Sequence, residues 1–319
     1  MRQNETKRRM TARKENRKIT VREIARRTGY APCTVARALS DDGCVALQTR
    51  TRILESARAL GYIRRSGTNI AVLIPSFGNR VCCYNTAILH ALADQLDREH
   101  FRYELIPENH LRAFNEKMLD GAVSICYTGK TAKRWSELNS IPLVCINDFS
   151  YHPDRIYSVC SNDLQAMTSI ADHLHAAGHS RVLFLERRMA AENLNHEMRK
   201  RAFQRRAEEL GLALCYASAG DLCDWGALLL REKISAVVCP FEMTDLGIFA
   251  SLLKSGLRIP QDVELVHWHV PGISDALMPD QFTVRQDFPA LARAAVGLLK
   301  RLFAGERVRD VSVDYVVGP

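Results

Sequence analysis

The side chains of this chain whose types and spacing can do chemistry gather first between positions 20 and 65. Arg37, Arg50, Arg52 and Arg58 recur there with the hydroxyls of Thr20, Thr34 and Ser40. Guanidinium groups and hydroxyls presented together bond phosphate oxygens and the edges of bases, so the first chemistry implied is recognition of nucleic acid.

The elements that must carry these groups are short helices. Thr20 precedes the apolar rhythm Val21, Ile24, Ala25, and Glu23 follows three places on, the pattern of a capping box; Gly29 ends that helix. Pro32 suits the first turn of a second helix, where its missing N–H would have had no partner. Val35, Ala38 and Leu39 give this helix a buried face and leave Thr34, Arg37 and Ser40 outward. A third helix runs from about Gln48 to Leu60 with Ile53, Leu54, Ala57 and Leu60 inward and Arg50, Arg52 and Arg58 outward, and Gly61 stops it. Two helices joined by a tight turn of this kind form a helix-turn-helix, whose second helix enters the major groove.

Charge divides the chain at the same place. Residues 1–65 hold 17 Lys+Arg against 6 Asp+Glu, net +11, whereas the remainder holds 27 against 30, net −3. A positive field confined to the head attracts a phosphate backbone and releases its counterions. Residues 1–18 carry 8 basic and 2 acidic residues with no apolar periodicity, which reads as a disordered basic arm adding sequence-independent phosphate contacts.

The remaining stretch of about 250 residues is long enough for two compact subdomains. No run of 18 apolar residues occurs and the N-terminus has no apolar signal core, so the expectation is a cytoplasmic protein. The ten cysteines show no C-x-x-C pair at zinc spacing and read as reduced thiols. From residue 70 short β-rich apolar runs alternate with amphipathic helical stretches, the pattern of an α/β doubly wound parallel-sheet fold repeated twice. Strands are expected at Ile70–Ile74, Tyr103–Ile106, Ala122–Cys126, Leu143–Ile146, Val182–Leu185, Ala236–Cys239, Val263–His267 and Val311–Val316. Helices are expected at about Thr86–Asp97, Leu164–Ala177, Met198–Leu210, Asp245–Ser255 and Ala290–Phe303. Ligands of such sheets sit beyond the carboxyl ends of the strands.

The stretch V-R-E-I-A-R-R-T-G-x(4)-T-V-A-R-A-L, followed by T-R-x-R-I-L-x-x-A-x-x-L-G-Y, resembles the lactose-repressor family of bacterial transcription regulators. The resemblance continues at Asp120–Val123, Ile141–Val144, Ala177–Val182, Gly256–Val263 and Thr283–Gln286, covering nearly the whole chain from residue 19. It implies a regulatory module like a periplasmic sugar-binding protein, with an effector in the cleft between two subdomains and no cofactor. The implied division is a basic arm 1–18, a head 19–65, a linker 66–69 and an effector-binding and dimerisation module 70–319. Within the module, an N-subdomain covers about 70–179 plus 286–310 and a C-subdomain about 180–285 plus 311–319.

The resemblance also implies the cleft residues. Arg199 falls where family members carry an arginine that contacts the effector; Tyr84 and Asn85 fall on a pair after the first strand, and Asn147 and Asn162 at later strand ends. Where the family usually has Asn-Asp this chain has Phe241-Glu242, and where it has an Asp this chain has His269. Losing carboxylate and amide groups while retaining Arg199 shifts the expected effector from a simple neutral sugar toward an acidic or aromatic metabolite, with a carbohydrate kept open.

Departures in the head carry mechanism. Family members cap the second and third helices with Ser; this chain has Ala31 and Ala46. Pro32 and Cys33 occupy the two specificity positions, and neither is a strong donor, so direct readout falls to Arg37 and apolar contacts. The family's P-N-x-x-A-x-x-L hinge segment is replaced by Ile63–Thr68, about ten residues shorter, which removes the leucine wedge that kinks the central step.

His173, His175 and His179 have a metal-like look, but Gly178-His179 resembles the helix C-terminus that family members share, where a cation suits the dipole. Cys82-Cys83 has no metal-spaced neighbour. His267 and His269 alternate along a strand end and face opposite ways. No phosphate-cradling, dinucleotide-binding, zinc-protease or serine-hydrolase motif occurs, so no enzyme is expected. The expectation is a repressor binding a pseudo-palindromic operator as a homodimer, without the leucine-heptad tail of tetrameric members and with a small-molecule effector. The alternative is a ligand-binding protein whose degenerate head acts through protein partners.

Overall fold

The computed structural model describes residues 19–40, 45–60, 62, 68–76, 83–110, 119–126, 129–138, 141–148, 156–186, 194–218, 224–241, 245–269, 274 and 281–318. The basic arm 1–18 and the whole segment 63–67 lie outside them, as do Glu242 and Cys82.

The head holds α1 (Val21–Thr28), α2 (Pro32–Ser40) and α3 (Leu47–Ala59). Thr20 caps α1 as its sequence predicts: its Oγ1 accepts from Glu23 N at 3.4 Å, and its own N donates to Glu23 Oε2 at 2.9 Å. Gly29 takes φ 76°, a left-handed conformation that L side chains rarely adopt, and its N–H bonds Ala25 O. The three helices close over Ile24, Ala25, Val35, Ala38, Leu39, Ile53, Leu54 and Ala57.

Two six-stranded sheets follow. The first contains β1 (Asn69–Ile74), β2 (Arg102–Pro107), β3 (Gly121–Ser124), β4 (Leu143–Ile146) and β5 (Ile156–Ser161), with α4 (Cys83–Arg98) after β1 and α5 (Gly129–Leu138) after β3. The second contains β6 (Arg181–Glu186), β7 (Ala213–Ser218), β8 (Ala236–Cys239), β9 (Glu264–Trp268) and β10 (Thr283–Arg285). Its helices are α6 (Asp163–Ala176), α7 (Leu194–Leu210), α8 (Trp225–Glu232) and α9 (Asp245–Lys254). The chain then returns through α10 (Phe288–Phe303) and ends in β11 (Val311–Val313) and β12 (Val316–Gly318).

In these numbers the sheet orders are β11-β5-β4-β3-β1-β2 and β12-β10-β9-β8-β6-β7. Every pairing is parallel except β10 with β12. Strands covered on both faces bury every residue, as β1 does: Ile70, Val72 and Ile74 pack toward α4 and α10, and Ala71 and Leu73 toward α5. The second sheet is sandwiched likewise between α6 with α7 and α8 with α9.

The sheets correct the subdomain boundaries. The first crossing falls at Asn162, not near residue 179, because α6 packs Ala166, Met167, Ile170 and Leu174 against Phe184 and Phe203 of the second core. The stretch expected as one strand, Val311–Val316, is two: β11 pairs with β5, and after Asp314-Tyr315 the chain crosses into the second sheet as β12. A continuous β-rich run does not reveal which sheet each half joins. Polar residues hid β5 (IYSVCS), and an exposed edge hid β7. β10, with three residues, and the helices α5 and α8 also escaped the apolar pattern.

Candidate functional site

The first site is the outer face of the head. Pro32, Cys33, Arg37 and Ser40 of α2 are exposed, Thr34 is half-buried, and Arg50 is half-buried on α3. Two of the hydroxyls expected there have local duties: Thr20 is committed to the capping box, and Ser40 Oγ donates to Arg37 O at 3.1 Å. Ala31 and Ala46 begin α2 and α3 through their carbonyls alone, which accept from Val35 N and Arg50 N at 3.0 Å; a methyl side chain supplies no acceptor for the remaining first-turn N–H groups.

The second site lies where the carboxyl ends of the two sheets meet. At the end of β4, Asn147 is buried with φ 55°. Its Nδ2 donates to Tyr84 Oη at 2.9 Å, its Oδ1 accepts from Ser161 N at 2.7 Å, and its carbonyl accepts from Asn195 Nδ2 of α7 at 3.1 Å. The last bond spans the subdomains. Tyr84 also meets Phe288 edge-on, and Asn85 is buried at the start of α4 with no hydrogen-bond partner for its Oδ1 among the described residues. Asn162 is occupied by the crossing itself: its Oδ1 caps α6 through Gln165 N, and its Nδ2 donates to Asp314 Oδ1 at 2.8 Å.

Arg199 on α7 is buried and held on several sides. Nε donates to Asp163 Oδ1 at 2.9 Å, Nη1 to Pro240 O at 2.7 Å and Nη2 to Tyr315 Oη at 3.0 Å, while the guanidinium lies 4.7 Å from the Trp268 ring centroid. Burial works to lower its pKa, but the Asp163 carboxylate and the Tyr315 hydroxyl more than offset that and hold it firmly charged. Tyr315 Oη donates to Asp163 Oδ1 at 2.6 Å and also accepts from Gln286 Nε2 at 3.4 Å; Gln286 Nε2 donates to Ser161 Oγ at 3.0 Å. This network ties α7 to all three chain crossings. Sequence reasoning found Arg199 and missed Asp163, Tyr315, Gln286 and Ser161; all four sit at or beside crossings, a signal available only once the strands are assigned.

Phe241, at the end of β8, is buried and stacks on His196 of α7 with ring centroids 5.2 Å apart and planes 5° apart. The two rings line a cavity of about 460 Å³ at the ends of β6, β7 and β8, with Glu186, Lys200, Tyr216 and Ser218 also on its walls. Glu242 falls outside the described residues. His269 is half-buried and donates its backbone N–H to Val284 O at 2.9 Å. Its neighbour but one, His267, is buried with neither ring nitrogen bonded among the described residues, and burial lowers its pKa to about 4.

Of the histidines that resembled a metal set, two converge on one carboxylate and the third stands apart. His173 and His179 bond the two oxygens of Glu264, His179 Nδ1 meets Ser235 Oγ at 2.7 Å, His173 stacks on Phe282, and His175 is exposed. Among the described residues no group of three or more His, Cys, Asp or Glu is arranged to hold a metal. Burial pushes the thiols of Cys126 and Cys160 up to about 12 and raises that of Cys145 well above its ordinary value, which suits inert packing rather than reactivity. Cys83 is half-buried.

A three-helix head joined to two parallel-sheet subdomains with three crossings and a cleft at the strand ends defines a regulator of the type that couples a DNA-binding module to a periplasmic-binding-protein-like one. Residues 171–316 match the periplasmic binding protein-like domain family. The chain is 26% identical to the HTH-type transcriptional regulator GntR of Pseudomonas aeruginosa over 92% of each chain. It is 25% identical to the HTH-type transcriptional regulator MalR of Streptomyces coelicolor over 89% of this chain and 90% of that one. Its fold is that of the lac repressor dimer bound to operator and the anti-inducer ONPF, with a TM-score of 0.66, 17% identity and coverage of 95% of this chain and 98% of that one. The chain is similar along most of its length to transcription regulators of the lactose-repressor family.

Proposed function

We propose that the protein is a cytoplasmic repressor that binds a pseudo-palindromic operator as a homodimer and changes its grip on DNA when a small metabolite enters between the subdomains. The observation that carries this reading is the bond from Asn195 Nδ2 of α7 to the Asn147 carbonyl at the end of β4, a polar contact across the cleft that an entering ligand would compete for. On the head, α2 turns Pro32, Cys33 and Arg37 outward, and Thr20, Thr34, Ser40 and Arg50 complete the surface expected to meet DNA. Around the cleft, Asn147, Phe241 and His269 at strand ends, Tyr84 and Asn85 at the start of α4, Arg199 on α7 and Asn162 at the crossing support an effector site there, and Glu242, outside the described residues, is proposed with them from its place in the sequence. Solved relatives include a regulator in complex with cellobiose, which supports a carbohydrate as the class of effector, and the retained Arg199 keeps an acidic metabolite as the alternative.

A second reading, a ligand-binding protein with a weakened head acting through protein partners, is favoured by the uncapped starts of α2 and α3 at Ala31 and Ala46. Selection of genomic fragments by the purified protein at two salt concentrations separates the readings. A palindromic motif surviving the higher salt supports the repressor, and random or no recovery supports the second reading.

A further inference from the structure

The cavity at the ends of β6, β7 and β8 is lined by residues of the second subdomain, and Pro240 on its wall accepts from Nη1 of Arg199 at 2.7 Å. The neighbour of Arg199 in sequence, Lys200, projects roughly 100° around the helix and lines the cavity. Lys200 Nζ pairs with Glu186 Oε1 at 2.5 Å and lies 4.9 Å above the Tyr216 ring centroid. The walls also include the buried Phe184 and the stacked pair of Phe241 and His196. The pocket therefore combines aromatic rings with one ammonium and one carboxylate held against each other; the second carboxylate on its wall, Glu197, is already paired with Arg201 at 2.7 Å.

That pairing selects the ligand by charge. An anion drawn to Lys200 would strip Glu186 of its partner and lie beside it, at a repulsive cost; a cation drawn to Glu186 would do the same to Lys200. A neutral polyol would have to outcompete the pair's own bond. A zwitterion opens the pair and leaves every charge matched, with its carboxylate on Lys200 and its ammonium on Glu186. Side-chain exposures of 34% and 39% make the existing pair weak, so opening it costs little. The ring faces add stacking for a planar group, and a volume of about 460 Å³ falls within the range of about 300–1,000 Å³ usual for small-molecule sites.

We propose that this pocket binds an aromatic α-amino acid, with its ring against Phe241 and His196 and its two charges exchanged into the Lys200–Glu186 pair. The inference deepens the proposed function and rests on the reading that a small metabolite controls this protein.

The test is isothermal titration of the full chain, without DNA, with L-phenylalanine, L-tyrosine and L-tryptophan, alongside phenylpropionate, phenethylamine and D-glucose. At least one of the three amino acids is expected to bind. Removing its ammonium or its carboxylate, or substituting Lys200→Met or Glu186→Gln, is expected to weaken binding about tenfold or more. Both substituted side chains are partly exposed, so an unchanged melting temperature of the free variants shows that folding is intact. The proposal is overturned if none of the amino acids binds, if the truncated analogues bind equally well, or if both variants keep native affinity. Glucose binding undiminished in both variants would sink this proposal while leaving the effector reading standing, and loss of operator binding alone would leave the titration readable.

Discussion

Arg199 donates through Nε to Asp163 Oδ1 at 2.9 Å with side-chain exposures of only 10% and 2%, so the arginine closest in register to an effector contact is spent on the protein's own crossing segment. Two buried charges that satisfy one another become a liability when either is removed, because the survivor is left without water or partner.

Asp163→Ala is therefore expected to destabilise the regulatory module by about 3–5 kcal/mol, and Arg199→Met by a similar amount. The double variant should lose much less than the sum, because it strands no charge. Urea denaturation of the four proteins checks this, and additive losses would mean that the pair is not coupled.

His267 sets an acid limit. Burial lowers its pKa from 6.5 to about 4, so below pH 6.5 the unfolded chain takes up a proton that the folded chain refuses until about pH 4. Its contribution is fully present above pH 6.5, falls between 6.5 and about 4, and is constant below; the total is on the order of 3 kcal/mol. His267→Leu should flatten the fall in unfolding midpoint between pH 7 and pH 4.5. An equal fall in both proteins would assign the acid sensitivity to other groups.

Ala31 marks a missing cap at the start of α2. Ala31→Ser should stabilise the head by roughly 0.5–1 kcal/mol by giving a first-turn N–H an acceptor, and should tighten DNA binding through an added phosphate contact. Thermal melting and a DNA titration read the two effects separately; a tighter cap with unchanged DNA affinity would place this helix start away from the backbone.

The 8 basic residues within positions 1–18 are expected to contribute phosphate contacts that need charge more than geometry. Deleting residues 1–18 should weaken DNA binding and flatten its dependence on salt, measured as the slope of log affinity against log salt. An unchanged slope would exclude the arm from the complex.

The sequence by itself determined the local structure. The Thr20–Glu23 capping box, the stop at Gly29 and the buried face of Val35, Ala38 and Leu39 all depend on residues within a few positions of one another. Strands Leu143–Ile146 and Ala236–Cys239 were legible to the residue because both faces are buried and the apolar run is unbroken. Family resemblance brought Tyr84, Asn147, Arg199 and Phe241 to attention as cleft residues. What each one does was decided only in three dimensions. Arg199 meets its partners 36, 41 and 116 positions away, Asn147 takes Tyr84 from 63 positions upstream, and Asn162 is claimed by Asp314, 152 positions on. The split of Val311–Val316 between two sheets belongs to the same class, because strand pairing is chosen by distant segments competing for one edge. Hydrogen bonds and ion pairs act over a few ångströms of space regardless of separation along the chain, so residue type fixes what a side chain can do while packing fixes which neighbour it does it to.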